Sequence, residues 1–254
     1  MSKQPKTYVI YGANSAIGSE LAKSVLPDVN DLVLFYHDKT DNIQSILSHE
    51  KVTSFKYDIK DFEGIIEQVN HIKKDRHFAA VYLPTMRSYD AKPLFETSLY
   101  LTKDIIETNF LGAIHFLKAM ITLMPARAKE SLAELSMRIV MLGSNVTRTG
   151  LKNGSVYAAS KAAIANLCRS VAMEEGVNNI LINTISPGPV LTDNSGYKGE
   201  YLEYRKEYFE NQKAATSLNR LAEIQDVCQA IKFLTSMENQ HITGEEIFLT
   251  GGSL

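Results

Sequence analysis

The chain has 254 residues, 44% of them hydrophobic, which suffices for one sizeable core and is a common length for a single α/β domain. Its 27 basic and 29 acidic residues are interspersed and leave a formal net charge of -2, so no broad basic face is offered to nucleic acid or to an anionic membrane. Cys168 and Cys228 are the only cysteines and lack metal-ligand spacing, which argues against a disulfide framework, predicts no metal site, and points to two core thiols in a reducing compartment.

The polar residues 1–6 run straight into a short apolar stretch, without a signal-peptide h-region or a bilayer-spanning run, so a cytoplasmic protein is expected. Residues 7–11 read as a β-strand, and the turn Tyr11-Gly12-Ala13-Asn14-Ser15-Ala16-Ile17-Gly18 then opens a predicted helix over 16–26. Gly12 suits the tight turn, Gly18 allows the helix to approach the sheet, and N–H groups at the helix N-terminus can meet a pyrophosphate. The spacing is not G-x-G-x-x-G, and such a turn also occurs for structural reasons alone. The second predicted strand, 32–36, ends at Tyr36 and leads into His37, Asp38 and Lys39. No carboxylate stands at the strand's end, where the ribose of NAD would be held. His37 and Lys39 suit a 2′-phosphate and Asp38 opposes it by like charge, so the preference leans to NADP over NAD.

A third strand, 53–57, and a helix over 62–72 follow, then a fourth strand at 79–83, a long helix over 102–124, and a fifth strand at 138–142 that ends in Gly143-Ser144. A helix over 157–175, a sixth strand at 180–185, a helix over 224–235 and a last strand at 246–249 complete the alternation. Short β-rich runs alternating with longer helical ones predict an α/β fold, a doubly wound parallel sheet of about seven strands with helices on both faces. Residues 189–216 break this rhythm. The segment is long, charged and rich in tyrosine (Tyr197, Tyr201, Tyr204, Tyr208), and it reads either as a lid over a ligand or as a solvated helical pair. Its place after the carboxyl end of a strand favours the lid.

Tyr157 and Lys161 stand four positions apart in a strongly helical stretch and therefore share a face. A phenol ionises near pH 10, and bringing it close to neutrality takes roughly 3 to 4 kcal/mol of preferential stabilisation of the phenolate, which a neighbouring cation in a partly desolvated site can supply. Ser144, at the end of the fifth strand, points where the crevice of a doubly wound sheet lies, so its hydroxyl can hold a carbonyl or alkoxide oxygen; it can equally be a turn serine.

In this order the residues closely resemble the short-chain dehydrogenase/reductase family, from Thr7 to Gly252. The landmarks are Gly12 and Gly18, Asp58 in Tyr57-Asp58-Ile59, Asn109 in Thr108-Asn109-Phe110, then Ser144, Tyr157, Lys161, the run from Asn183 through Ser186-Pro187-Gly188-Pro189-Val190-Leu191-Thr192, and Ile242-Thr243-Gly244 with Gly251-Gly252. The resemblance implies that Tyr157 exchanges a proton with the substrate oxygen as hydride passes to or from nicotinamide. It implies that Ser144 hydrogen-bonds that oxygen, that Lys161 lowers the Tyr157 pKa and holds the nicotinamide ribose, and that Asn109 completes a proton relay. Cofactor contacts are implied at Gly12, Asn14, Ser15, Ile17 and Gly18, at Tyr36 and His37, at Asp58, Ile59 and Leu83, and at Pro187, Gly188, Val190 and Thr192. Asp58 can otherwise be a helix N-terminal acid, and Pro187-Gly188 a simple turn.

The implied activity is interconversion of a small-molecule ketone and a secondary alcohol with NADP(H) or NAD(H), by a homotetramer or dimer built on the Tyr157 and Asn109 helices. The alternative is a cofactor-binding redox sensor or scaffold without turnover. The commonest enzymes of this look are 3-oxoacyl reductases; Glu174 and Glu175 at the end of the Tyr157 helix argue against an acidic carrier protein at the site mouth, while Arg127 and Lys129 can supply a basic patch for one. The match departs from the family at Tyr11, at Ala16 in place of a glycine, at Tyr82-Leu83-Pro84-Thr85 in place of Asn-Asn-Ala-Gly, and at Thr250 in place of an acid. A methyl group at Ala16 is expected to narrow the approach to the pyrophosphate.

Overall fold

The computed structural model describes residues 5–72, 77–83, 90–123, 136–192 and 198–253, with Tyr201 and Tyr204 in backbone only. Nine strands run through it: β1 (Thr7–Tyr11), β2 (Asp31–Tyr36), β3 (Val52–Lys56), β4 (His77–Tyr82), β5 (Ser136–Leu142), β6 (Ile180–Pro187), β7 (Val190–Leu191), β8 (Ala222–Glu223) and β9 (Glu246–Leu249). Seven of them form one sheet in the order β3-β2-β1-β4-β5-β6-β9, and β7 pairs with β8 beside it. Each pairing in the large sheet is parallel. The strand order reverses between β1 and β4, and in open α/β sheets ligands lie in the crevice beyond the carboxyl ends at such a point.

The helices are α1 (Ala16–Val25), α2 (Phe62–Asn70), α3 (Leu99–Ile105), α4 (Gly112–Thr122), α5 (Val146–Thr149), α6 (Ser155–Glu175), α7 (Gly199–Ala214) and α8 (Ile224–Thr235). Successive residues of a strand face opposite sides of a sheet, and β1 shows both sides buried. Tyr8 and Ile10 pack with Leu21, Ala22 and Val25 of α1 and with Val227, Ile231 and Leu234 of α8. Val9 and Tyr11 pack on the other face with Ile65 and Val69 of α2, Ala113, Phe116 and Met120 of α4, and Ile164 and Cys168 of α6. This double burial explains why the strands read as near-continuous apolar runs. Cys168 and Cys228 are both buried free thiols, one in each layer. Among the described residues, no helix is long and apolar enough to cross a membrane.

Several boundaries differ from the sequence expectation. The helix expected over 102–124 starts earlier, at Leu99, because the Ser98 hydroxyl caps it by accepting the Leu101 N–H at 3.1 Å. It is also not one α-helix: a π-helical segment, Ile106–Leu111, separates α3 from α4. Its expected end at Met124 lies outside the described residues. The fourth strand runs His77–Tyr82 rather than 79–83, and the sixth continues to Pro187 because β9 pairs with it from Thr184 to Pro187. Within 189–216, the described elements are β7 and the polar helix α7, while Tyr197 lies outside the described residues.

Candidate active site

The glycine turn is tight and closely packed against the start of α1. Gly12 has a φ of 80°, a conformation that costs an L side chain steric strain. A Cβ on Gly18 would stand 2.3 Å from the Gly12 carbonyl oxygen, so only glycine allows this helix start to close on the turn. Ser15 is the N-cap of α1, its hydroxyl accepting the Gly18 N–H at 3.0 Å. Asn14 is tied to the loop after β2: its side-chain oxygen accepts the Asn42 N–H at 2.9 Å, and its carbonyl accepts from the Asn42 amide at 2.7 Å. Ala16, where the resemblance suggested crowding, is exposed at the helix start.

A cleft of about 490 Å³ opens beside this turn, beyond the carboxyl ends of β1, β2 and β3. It is lined by Gly12, Asn14 and Ser15, by Tyr36, His37, Asp38 and Lys39 after β2, and by Tyr57, Asp58, Ile59 and Lys60 after β3. Asp104 and Thr108, from α3 and the π segment, close it on the far side. The structure therefore gathers the expected residues Gly12, Asn14, Ser15, Tyr36, His37, Asp58 and Ile59 in one cleft. Ile17, Gly18, Leu83 and the residues after β5 and β6 are not part of its lining. Leu83 is buried beneath it, donating its N–H to the Tyr11 carbonyl at 2.8 Å. Pro84 and Thr85 lie outside the described residues.

Asp58 is not the cap of the following helix. Asp61 fills that role by accepting the Gly64 N–H at 3.0 Å, while Asp58 folds back to accept the Lys60 N–H at 2.9 Å. The Ile59 carbonyl is fixed by His115 of α4 at 2.8 Å. Lys60, Asp104 and Thr108 were not anticipated from sequence. The Lys60 ammonium pairs with the Asp104 carboxylate at 2.6 Å across the cleft, and this bond raises the Lys60 pKa.

Tyr157, Ser160 and Lys161 come from α6, Asn109 from the π segment, and Ser144 from the turn after β5. Lys161 is 1% exposed, donates from Nζ to the Leu142 carbonyl at 2.9 Å, and lies 5.9 Å from the Tyr157 ring centre. Desolvation destabilises its charged form and pushes its pKa down to about 7. The buried Asn109 amide donates to the Ser160 hydroxyl at 3.1 Å, which in turn donates to the Tyr157 carbonyl at 2.7 Å. Among the described residues, Ser144 makes only long contacts, at 3.5 Å, with Asn145 Oδ1 and the Val146 N–H. Both lie at the outer limit of hydrogen-bond geometry.

The loop after β6 is anchored on either side. The Asn145 N–H donates to the Pro187 carbonyl at 2.9 Å, and the Gly188 N–H donates to the Leu249 carbonyl at 2.9 Å. Val190 pairs with Ala222, and the Thr192 hydroxyl receives an Arg205 N–H from α7 at 3.2 Å. Glu246 on β9 was not anticipated: one of its carboxylate oxygens accepts from both Thr147 and Ser186, each at 2.6 Å, and so ties the turn after Ser144 to the sheet.

The family model described as Enoyl-(Acyl carrier protein) reductase matches residues 12–253. The 3-oxoacyl acyl-carrier-protein reductase FabG of Buchnera aphidicola is 26% identical over 254 residues, covering 99% of this chain and 98% of that protein. A short-chain dehydrogenase/reductase from Brucella melitensis is 24% identical, with a TM-score of 0.79, covering 99% of this chain and 97% of its own. A 3-oxoacyl (acyl-carrier-protein) reductase from Agrobacterium tumefaciens C58, solved with NADP bound, is 22% identical, with a TM-score of 0.81, covering 99% of this chain and 95% of its own. With its glycine turn, parallel sheet order and the Tyr157–Lys161 helix in place, the chain belongs to the short-chain dehydrogenase/reductase family as a divergent member similar to 3-oxoacyl reductases.

Proposed function

We propose that the protein interconverts a small-molecule ketone and a secondary alcohol with a nicotinamide dinucleotide, Tyr157 acting as general acid and base. The observation that carries this reading is Lys161, buried between the Leu142 carbonyl and the Tyr157 ring. The cleft fits the adenosine end of the dinucleotide: a glycine turn closed tightly at Gly18, a helix N-terminus beside it, and, at its other end, an Asp58 carboxylate and an Ile59 carbonyl that are both held in place. When bound, the nicotinamide donates or accepts hydride. Gly12, Asn14, Ser15, Ile17 and Gly18 would hold the pyrophosphate side, Tyr36, His37, Asp58, Ile59 and Leu83 the adenosine side, and Pro187, Gly188, Val190 and Thr192 the nicotinamide side.

The protein's own groups then handle the proton. Tyr157 gives its phenolic proton to the carbonyl oxygen during reduction and takes it back during oxidation, while Ser144 Oγ, whose contacts among the described residues are both long, orients that oxygen. Lys161 sits close to its own ionisation point, so it can pass a proton towards Tyr157. Asn109, through Ser160, fixes the first turn of α6 and hence the phenol's position. The segment 189–216, held to the loop by the Arg205–Thr192 bond, serves as the substrate lid.

The preferred cofactor is NADP(H) over NAD(H), on the strength of His37 and Lys39 at the cleft. The NADP seen with the Agrobacterium reductase is consistent with this. A small carbonyl substrate fits relatives named 3-oxoacyl reductase and D-erythrulose reductase, and the acidic end of α6 favours a free substrate over one on an acidic carrier. The protein acts in the cytoplasm as a homotetramer or dimer, and exposed Leu99, Tyr100, Met173 and Val177 on and beside the Asn109 and Tyr157 helices supply apolar contact surface. The test is steady-state turnover of NADPH and NADH with a panel of ketones and secondary alcohols. Tight cofactor binding without turnover across the panel would instead identify a redox sensor.

A further inference from the structure

The ends of β2 and β3 carry a charge arrangement that the order of residues does not reveal. Tyr36 and Lys56 are register partners at the carboxyl ends of these strands, and the Tyr57 N–H donates to the Tyr36 carbonyl at 3.0 Å. Asp38, two residues beyond Tyr36, turns back so that its carboxylate meets Lys56 Nζ at 3.0 Å and His37 Nδ1 at 2.9 Å. The bond from Lys56 is the main reason that the Asp38 carboxyl ionises below its ordinary range. All three side chains are more than half exposed, so the group remains open to a ligand. His37 borders both the large cleft and an adjoining hollow of about 300 Å³ that Lys56 also lines.

The chemistry of the two possible adenosine riboses is opposite here. A free carboxylate accepts hydrogen bonds from a 2′-hydroxyl and repels a 2′-phosphate. With Lys56 seated on it, Asp38 is answered in charge, and Lys39 and His37 stand at the cleft beside the pair. Asp58 and Asp61 also border this region, and each has an oxygen held by a main-chain N–H, from Lys60 and Gly64 respectively. Lys56 is itself anchored at its carbonyl by the Gln68 amide at 2.8 Å.

We infer that Lys56 is a specificity-determining residue, the counter-ion that cancels Asp38 and so lets His37 and Lys39 receive the 2′-phosphate of a phosphorylated adenosine. This rests on the dinucleotide reading of the cleft. The test is calorimetric titration with adenosine 2′,5′-bisphosphate and with adenosine 5′-monophosphate, which needs no substrate and no turnover. The native protein is expected to bind the bisphosphate at least about tenfold more tightly than the monophosphate. Lys56→Met should lower bisphosphate affinity about tenfold and change monophosphate affinity less than about twofold, and adding Asp38→Asn to Lys56→Met should restore most of the loss. Unchanged bisphosphate affinity in Lys56→Met, an equal loss for both nucleotides, or no rescue by Asp38→Asn would each overturn the inference. A native protein that binds neither nucleotide would overturn the dinucleotide reading with it, and one that binds both equally would overturn the inference alone.

Discussion

Lys161 donates to the Leu142 carbonyl at 2.9 Å, so an ammonium group on α6 is held against the carboxyl end of β5 in a site closed to water. A cation there is costly, and its pKa falls from 10.5 to about 7. Above pH 10.5 the lysine is neutral in both folded and unfolded chains. Between about 7 and 10.5 the unfolded chain binds a proton that the folded one lacks, so stability rises with pH through this window. Lys161→Met should therefore stabilise the fold most below pH 7, by several kcal/mol, with the gain shrinking as pH approaches 10.5. Urea unfolding of both proteins across pH 6 to 10 checks this, and a gain independent of pH would contradict it.

Tyr157→Phe removes the phenolic proton and keeps the ring that Lys161 faces. The kcat should fall by about 10² to 10⁴, while cofactor affinity, read by fluorescence titration, stays within about threefold. Retention of most of the turnover would refute the assignment of Tyr157.

Gly18→Ala would place a methyl group 2.3 Å from the Gly12 carbonyl and 2.9 Å from the Ser15 hydroxyl that caps α1. The helix start must shift, at about 1 to 3 kcal/mol. Cofactor affinity should weaken together with a lowered urea midpoint, because the same turn serves both ends.

Glu246→Ala removes the acceptor shared by Thr147 and the fully buried Ser186. A loss of about 1 to 3 kcal/mol in stability is expected, with a fall in kcat because the turn carrying Ser144 loses its tie to β9. Glu246→Gln keeps an accepting oxygen and should recover most of both. Equal losses in the two variants would mean that charge, rather than the acceptor, matters.

The sheet was legible because each strand of the central set is a short β-rich run, and the buried alternation of Tyr8 and Ile10 with Val9 and Tyr11 gives it no polar face to confuse the pattern. The helix from Leu99 to Thr122 was legible in type but not in form. Its start depends on a single hydroxyl at Ser98, and a π turn shifts the phase of a 3.6-residue pattern without erasing its apolar content. Tyr157, Lys161, Ser144 and Asn109 stand out as candidates by their order along the chain together with family resemblance; spacing alone leaves the Tyr157–Lys161 pair an ordinary helical pair. Lys60 with Asp104, Lys56 with Asp38, and Glu246 with Thr147 are contacts between distant segments, and no local signal in the sequence marks them.

The π turn at Ile106–Leu111 also sets a rule about chain length. It lodges a surplus residue within a continuous helix, and Asn109, which donates to Ser160, stands inside it. Removing one residue from this stretch would let the ladder revert to α geometry, rotating what precedes the cut by about 100° against α4 and swinging the Asn109 amide away from α6. Substitutions can be absorbed along much of this helix, but here the count of residues is fixed, and insertions or deletions between 106 and 111 should be selected against more sharply than any change of side chain around them.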